Sequence, residues 1–425
     1  MAGAASDRRD SLSPRSADLG NARDPLLLAA RIPNQEAMPL HSRLSPSLAA
    51  ALLAYALGSL STAFGAGSDQ DAKVRQVVDD AMKPVIQQYG IPGLAVAVTV
   101  GGTRHFIEYG LASNDPRVSV TRDTLFELGS ISKTFTATLA TYAEGEGKLS
   151  LNDPVSKHMP ELKGSALDDV RLLDLATHTA GGFPLQLPDN VKDQQQLIAY
   201  YRAWKPRFSP GTHRSYANPS IGLLGVIAAK TMEASFETLA ERLFSELGLR
   251  RTYVNVPAAE MKSYAWGYNR DGRPVRVSRA LLANEAYGVK SNAVDMIRFL
   301  EVNMGIGTVP TRVARALKAT HTGYFRSGEL IQDLVWEQYP YPVELEKIVA
   351  GNSMNMKAMP ATAIDPPMAP REDMILNKTG STNGFGAYVA FVPEKKVGIV
   401  MLANKAYPNE ARVEAALQVL SRLRE

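Results

Sequence analysis

Cysteine is absent from the 425-residue chain. Its absence excludes disulfide bridges, thiolate catalysis and cysteine-ligated zinc. Histidine is scarce. His41, His105, His158, His178, His213 and His321 are the six, and none are paired at a metal-ligand spacing such as H-x-H or H-E-x-x-H. A metallo-hydrolase is therefore not expected, and no metal or other cofactor is called for. The formal charge of +4 is small and dispersed, with no block of Lys and Arg. A nucleic-acid partner is not expected on that charge. Long apolar runs are missing too. The longest, Leu44 to Leu60, is broken by Ser45, Pro46, Ser47 and Ser59 and is short for a membrane span. What remains is an ordinary globular composition, 45% hydrophobic and 21% charged, with length enough for two or three domains.

The N-terminal stretch has its own texture. Residues 1–37 are rich in Arg, Asp, Ser and Pro without periodicity, so a disordered extension is expected. From Met38, a region bearing His41 and Arg43 leads into the broken apolar run. Small residues follow at Thr62-Ala63-Phe64-Gly65-Ala66-Gly67. That order reads as an export signal over 38–65, leaving 66–425 as the mature domain. A membrane anchor is the alternative, and a start at Met38 is the alternative to one at Met1.

The mature chain begins with an amphipathic pattern. Val74, Val77, Val78, Ala81, Met82 and Val85 recur at helical spacing between Asp71 and Tyr89. Pro84 is expected to bend that helix or end its regular part. Leu94–Val100 and Thr103–Leu111, joined by Gly101-Gly102, predict a β-hairpin. Phe385–Val392 and Val397–Asn404 predict two more strands, and Asn409 can cap a last helix that buries Val413, Ala416, Leu417 and Leu420. Strands at both chain ends, each beside a helix, suggest one shared antiparallel sheet. Between them, Thr134–Glu146, Ser220–Met232, Phe236–Leu247 and Ala293–Met304 read as helices. The expectation is an α/β (α+β) fold. Its α/β lobe spans about 71–125 and 305–425, and a mostly helical lobe, about 126–304, is inserted in it. A cleft between lobes is the usual place for a small-molecule site.

Three polar motifs stand out in that frame. Ser130 and Lys133 form the chain's one Ser-x-x-Lys, three residues apart and so on one face of a helical turn. A lysine held neutral by burial, or a cation beside another base, activates a serine hydroxyl. By chance about one such motif is expected in a chain this long, so alone it describes an N-cap serine and a surface lysine equally well. Ser215-Tyr216-Ala217-Asn218-Pro219 offers a tyrosine whose hydroxyl, beside two lysines, can serve as a general base. Lys378-Thr379-Gly380-Ser381 precedes a strand, and its glycine lets a substrate approach the backbone. Lys378 can bind a substrate carboxylate or lower the pKa of Tyr216, and the Ser381 N–H can join that of Ser130 as an oxyanion hole. A loop, Gly181-Gly182-Phe183-Pro184-Leu185-Gln186, adds an amide.

Ser-x-x-Lys, Tyr-x-Asn and Lys-Thr-Gly in that order resemble the class C β-lactamases, the AmpC-type chromosomal cephalosporinases of Gram-negative bacteria. The likeness runs from about Asp71 to the C-terminus. It extends to Phe126–Phe135, Thr179–Gln186, Glu285–Lys290, Asn377–Gly386 and the tail Leu402–Asn409 with Arg412. A class A enzyme would carry Ser-Asp-Asn between the two lysine motifs, and this chain does not. The resemblance implies a serine β-lactamase / penicillin-binding-protein transpeptidase-like fold. It implies a β-lactam substrate, cephalosporins in preference, and a soluble monomer in the periplasm with no stable membrane association after export. By the same resemblance Ser130 is the acylated nucleophile, and Lys133 and Tyr216 manage the proton. Lys378 and Thr379, with Asn409 farther off, face the drug's carboxylate. Asn218 and Gln186 hold its side-chain amide. The N–H groups of Ser130 and Ser381 form the oxyanion hole, and Tyr264 borders the drug's variable side chain.

Two strings depart from the family pattern. Asp333-Leu334-Val335-Trp336-Glu337 stands where Gly-Leu-Gly-Trp-Glu is expected, and Leu282-Ala283-Asn284 where Leu-Asp-Ala is commoner. Both bear on substrate range more than on mechanism. D-alanyl-D-alanine peptidases and class C-like esterases share the three motifs. The closest approach here to an esterase Gly-x-Ser-x-Gly is Asn218-Pro219-Ser220-Ile221-Gly222. A non-catalytic penicillin sensor is a third reading.

Overall fold

A computed structural model describes residues 69–353 and 357–423. The export-signal reading over 38–65 therefore lies outside the described residues. No helix among the described residues is long and apolar enough to cross a membrane.

The architecture is a ten-stranded antiparallel sheet with helices on both faces and an inserted helical lobe. Across the sheet the strands run Thr362–Met368, Gly323–Ser327, Leu330–Gln332, Glu337–Pro340, Met374–Ser381, Gly386–Val392, Val397–Ala403, Gly93–Val100, Thr103–Asn114 and Arg117–Ser119. Strands from the two ends of the described chain meet as its seventh and eighth members, where Leu94 pairs with Ala403 and Val100 with Val397. The expected hairpin is present. Val100 pairs with Thr103, and Gly101 and Gly102 take φ of 59° and 91°, the positive values that a two-residue turn with matching twist requires.

The central strands read as unbroken apolar runs because both sheet faces are covered. Leu94, Val96 and Val98 pack with Val74, Val78 and Met82 of helix 69–89 and with Val413, Ala416 and Leu420 of the last helix. Ala95 and Ala97 face the other way, toward Met296, Ile297 and Leu300. Helix Ala293–Asn303, assigned to the helical lobe from sequence, thus belongs to the sheet. Glu301 on it accepts from Thr99 Oγ1 (3.0 Å) and from the Arg104 guanidinium. Pro84 does not end the first helix, which runs on to residue 89. The carbonyl left without an N–H partner there belongs to Asp80, an exposed residue, so water satisfies it at little cost.

The helical lobe has its own core around Ala137, Ala140, Leu172, Leu175, Ile221 and Leu224. Its base is closed by a short ladder in which Phe126 pairs with Ser291 and Glu127 with Lys290. Helix Phe236–Leu247 begins at the Ser235 cap, whose side chain accepts from Thr238 N, and ends at Gly248. Helices Ser132–Gly145 and Asn218–Thr231 fall within two residues of their expected bounds.

Candidate active site

Ser130 sits where the helical lobe meets the sheet. It lies in the 3-10 turn Gly129–Ile131, which feeds helix Ser132–Gly145. Gly129 has φ of 54°, and a Cβ on it would stand 2.4 Å from the Ser381 nitrogen. A Cβ on Gly380 would stand 2.0 Å from the Leu128 carbonyl oxygen. Only glycine lets these two backbones touch. The contact brings the Ser130 turn against the end of strand Met374–Ser381. Arg412, buried on the last helix, donates from Nη1 to Gly380 O (2.8 Å) and to Ser381 Oγ (2.9 Å) and fixes that strand end.

Lys133 is fully buried one turn beyond Ser130. Its Nζ donates to Ser130 Oγ at 2.9 Å and to Ala286 O at 2.8 Å. Tyr216 comes from the loop between strand His213–Arg214 and helix Asn218–Thr231. Its ring lies 5.1 Å from Lys133 Nζ and 5.1 Å from Lys378 Nζ. Burial pushes the tyrosine hydroxyl up, but the two ammonium charges outweigh it and bring the pKa down to about 8. Burial also pushes the Lys133 ammonium down, to about 8. Either group, once deprotonated, can take a proton from Ser130.

Lys378 Nζ donates to Thr379 O (3.3 Å) and lies 3.7 Å from Glu337 Oε1. Arg214 Nη2 donates to the same Glu337 oxygen at 2.7 Å. Glu337 thus offsets part of the positive charge gathered around Tyr216. One cleft brings together Ser130, Gln186, Tyr216, Asn218, Lys378, Thr379, Ser381 and Asn409. Asn409 opens the last helix, but its side chain makes no capping bond. Its Nδ2 donates instead to Asn352 O (2.9 Å), because Pro408 occupies the cap position. The Oδ1 atoms of Asn218 and Asn409 are buried without a hydrogen-bond partner among the described residues.

Tyr264 is the exception among the expected residues. It is buried away from the cleft, where its hydroxyl donates to Glu127 Oε1 (2.5 Å), its ring stacks on Phe385, and the Arg276 guanidinium lies over the ring, 4.1 Å from its centroid. The backbone bridge from Tyr264 to Leu125 holds it there. Tyr287, which sequence reasoning passed over, instead borders a recess that shares Gln186 and Asn218 with the cleft. Sequence reasoning also missed Arg214, Glu337 and Asn352 in the cleft wall. The available signal was a charge beside Trp336 in a quoted string, and an arginine two residues before Tyr216. Ser220, the centre of the esterase-like string, is buried in a helix and donates to Leu175 O (2.9 Å), so it is not presented to a substrate.

A serine bonded to a buried lysine, facing a tyrosine between two cations, defines a serine hydrolase of the acyl-transfer class. The family model for beta-lactamase matches residues 74–424. A curated beta-lactamase of Pseudomonas fluorescens is 48% identical over 351 residues, 82% of this chain and 98% of the relative. A solved class C beta-lactamase in complex with cefoxitin is 51% identical with a TM-score of 0.81, over 83% of this chain and 99% of that one. A solved beta-lactamase/D-alanine carboxypeptidase from Pseudomonas syringae is 50% identical with a TM-score of 0.81, over 82% of this chain and 99% of that one. The chain belongs to the beta-lactamase family, as a class C serine enzyme that hydrolyses β-lactams.

Proposed function

We propose that Ser130 is the residue acylated by the β-lactam carbonyl, with Lys133 and Tyr216 handling its proton. The observation that carries this is the 2.9 Å bond from Lys133 Nζ to Ser130 Oγ beside a tyrosine flanked by two lysines. As Ser130 Oγ attacks, its proton passes to the pair. The lactam C–N bond breaks, and the nitrogen takes a proton from Tyr216. Water, deprotonated by the same pair, then attacks the ester and releases Ser130. The N–H groups of Ser130 and Ser381 carry the oxyanion charge. Lys378 and Thr379, with Asn409 farther off, receive the drug's carboxylate. Asn218 and Gln186 take the side-chain amide, for which the unpartnered Asn218 Oδ1 is a ready acceptor. Tyr287, rather than Tyr264, borders the variable side chain. Lys378 holds Tyr216 toward its charged form.

Cephalosporins are the preferred substrates, a reading supported by the relative bound to cefoxitin. D-Ala-D-Ala peptide cleavage is the second reading, supported by the likeness to the beta-lactamase/D-alanine carboxypeptidase of Pseudomonas syringae. A steady-state panel of a cephalosporin, a penicillin and a D-Ala-D-Ala peptide tests both. The highest kcat/KM should fall on the cephalosporin, and a higher value on the peptide would reverse the order. The enzyme acts as a periplasmic monomer after removal of 38–65. Recovery in the membrane fraction with residues 44–60 intact would refute that location.

A further inference from the structure

His178 is a histidine that the three motifs leave without a task. It is 1% exposed and takes φ of 61°, a left-handed conformation that costs a non-glycine residue free energy. Its neighbours force that conformation. Thr177 Oγ1 and Thr179 Oγ1 lie 2.8 Å apart, Thr179 Oγ1 donates to Asp174 Oδ1 (3.1 Å), and Thr179 N donates to Asp174 O (2.9 Å). The loop is thus anchored to helix Leu172–Ala176 on both sides of His178.

What the strained residue holds is the tyrosine segment. Ser215 N donates to His178 O (2.8 Å), and Ala217 N donates to His178 Nδ1 (3.4 Å). The residues on either side of Tyr216 are therefore bonded to one histidine. Between those bonds the imidazole lies against the phenol ring, with centroids 4.3 Å apart and planes at 42°. Because Nδ1 accepts, Nε2 carries the hydrogen, and it is buried with no acceptor among the described residues. Burial first, then the charges of Arg214, Lys133 and Lys378, hold the ring's pKa well below its ordinary value. A neutral ring adds no further positive charge to those of Lys133, Lys378 and Arg214 around Tyr216.

We propose that His178 is a positioning residue that clamps Tyr216, holding its ring beside Lys133 and Lys378 through two backbone bonds and one ring face. The proposal rests on the reading of Tyr216 as the proton-handling group. Preorganisation of this kind acts on kcat, since displacing a base by about 1 Å costs up to about a hundredfold in rate.

Two variants separate the ring from the acceptor. His178→Asn keeps an amide acceptor and tolerates the positive φ but removes the ring. His178→Phe keeps a ring and removes the acceptor. Steady-state kinetics with a chromogenic cephalosporin, alongside thermal melting, read both. Each variant loses one part of the clamp, so each should lower kcat about tenfold with KM within about twofold. The proposal is overturned if both variants keep the parent kcat, or if their losses are carried by a raised KM at unchanged kcat. Tyr216→Phe, run beside them, should lose about two to four orders of magnitude. If that variant retains activity, the failure lies with the role of Tyr216 and not with the clamp.

Discussion

At the scale of single residues, the site is an arrangement of charge. Burial alone would leave Tyr216 a poor base, and the two lysines reverse that. The consequence is a pH profile with a defined sign. The pair must lose a proton to act as base, so kcat/KM should rise with pH through a midpoint near the value of about 8 to which Tyr216 and Lys133 are both brought. Lys378→Ala removes one of the charges that lower the tyrosine, so the rising limb should move to higher pH. Activity at pH 7 should fall further than the lost carboxylate contact explains. A limb that stays in place, or moves to lower pH, would show that Lys378 does not tune Tyr216. The motif residues themselves were legible in the sequence because each carries its chemistry in its own side chain. The choice between Tyr264 and Tyr287 was not legible. Both stand in short loop strings near glycine, and only the packing of Tyr264 against Phe385 and its bond to Glu127 turn it away from the cleft. Val335, where the family pattern has glycine, takes φ of 74°. Nothing in the string Asp333–Glu337 announces that a β-branched residue would accept this backbone.

At the scale of elements, the cleft depends on how closely strand Met374–Ser381 approaches the turn that carries Ser130. Glycine at 129 and 380 sets that approach, and Arg412 holds the strand end. Gly380→Ala places a methyl into the Leu128 carbonyl, which backbone cannot evade without moving. It should cost about 1–3 kcal/mol of stability and, by shifting the turn about 1 Å, about a hundredfold in turnover. Melting and kinetics on one preparation check both. Turnover within about twofold of the parent would mean that the approach does not set the geometry. Helices with clear stop signals were readable, as Phe236–Leu247 shows between Ser235 and Gly248. The last helix was readable in extent, but the role of Asn409 was not. Pro408 before it fixes the entry backbone, so the asparagine is free to reach Asn352.

At the scale of the whole molecule, four of the ten strands, Gly93–Val100, Thr103–Asn114, Gly386–Val392 and Val397–Ala403, were legible from their patterns near the two chain ends. The membership of helix Ala293–Asn303 was not, since its apolar face fits either lobe and sequence distance favours the wrong one. Pairing of Phe126 with Ser291 closes the helical lobe just before that helix begins. The folding of one lobe into the middle of another is what puts Ser130, from the lobe's first turn, beside Ser381 from the far end of the chain. The account's central claim is that this junction is where the covalent intermediate forms. Intact-mass spectrometry after mixing with a slow oxyimino cephalosporin measures it directly. A single adduct should appear, map to the peptide containing Ser130, and be missing from Ser130→Ala. An adduct on Ser220 or Ser381, or one that persists in Ser130→Ala, would contradict the account.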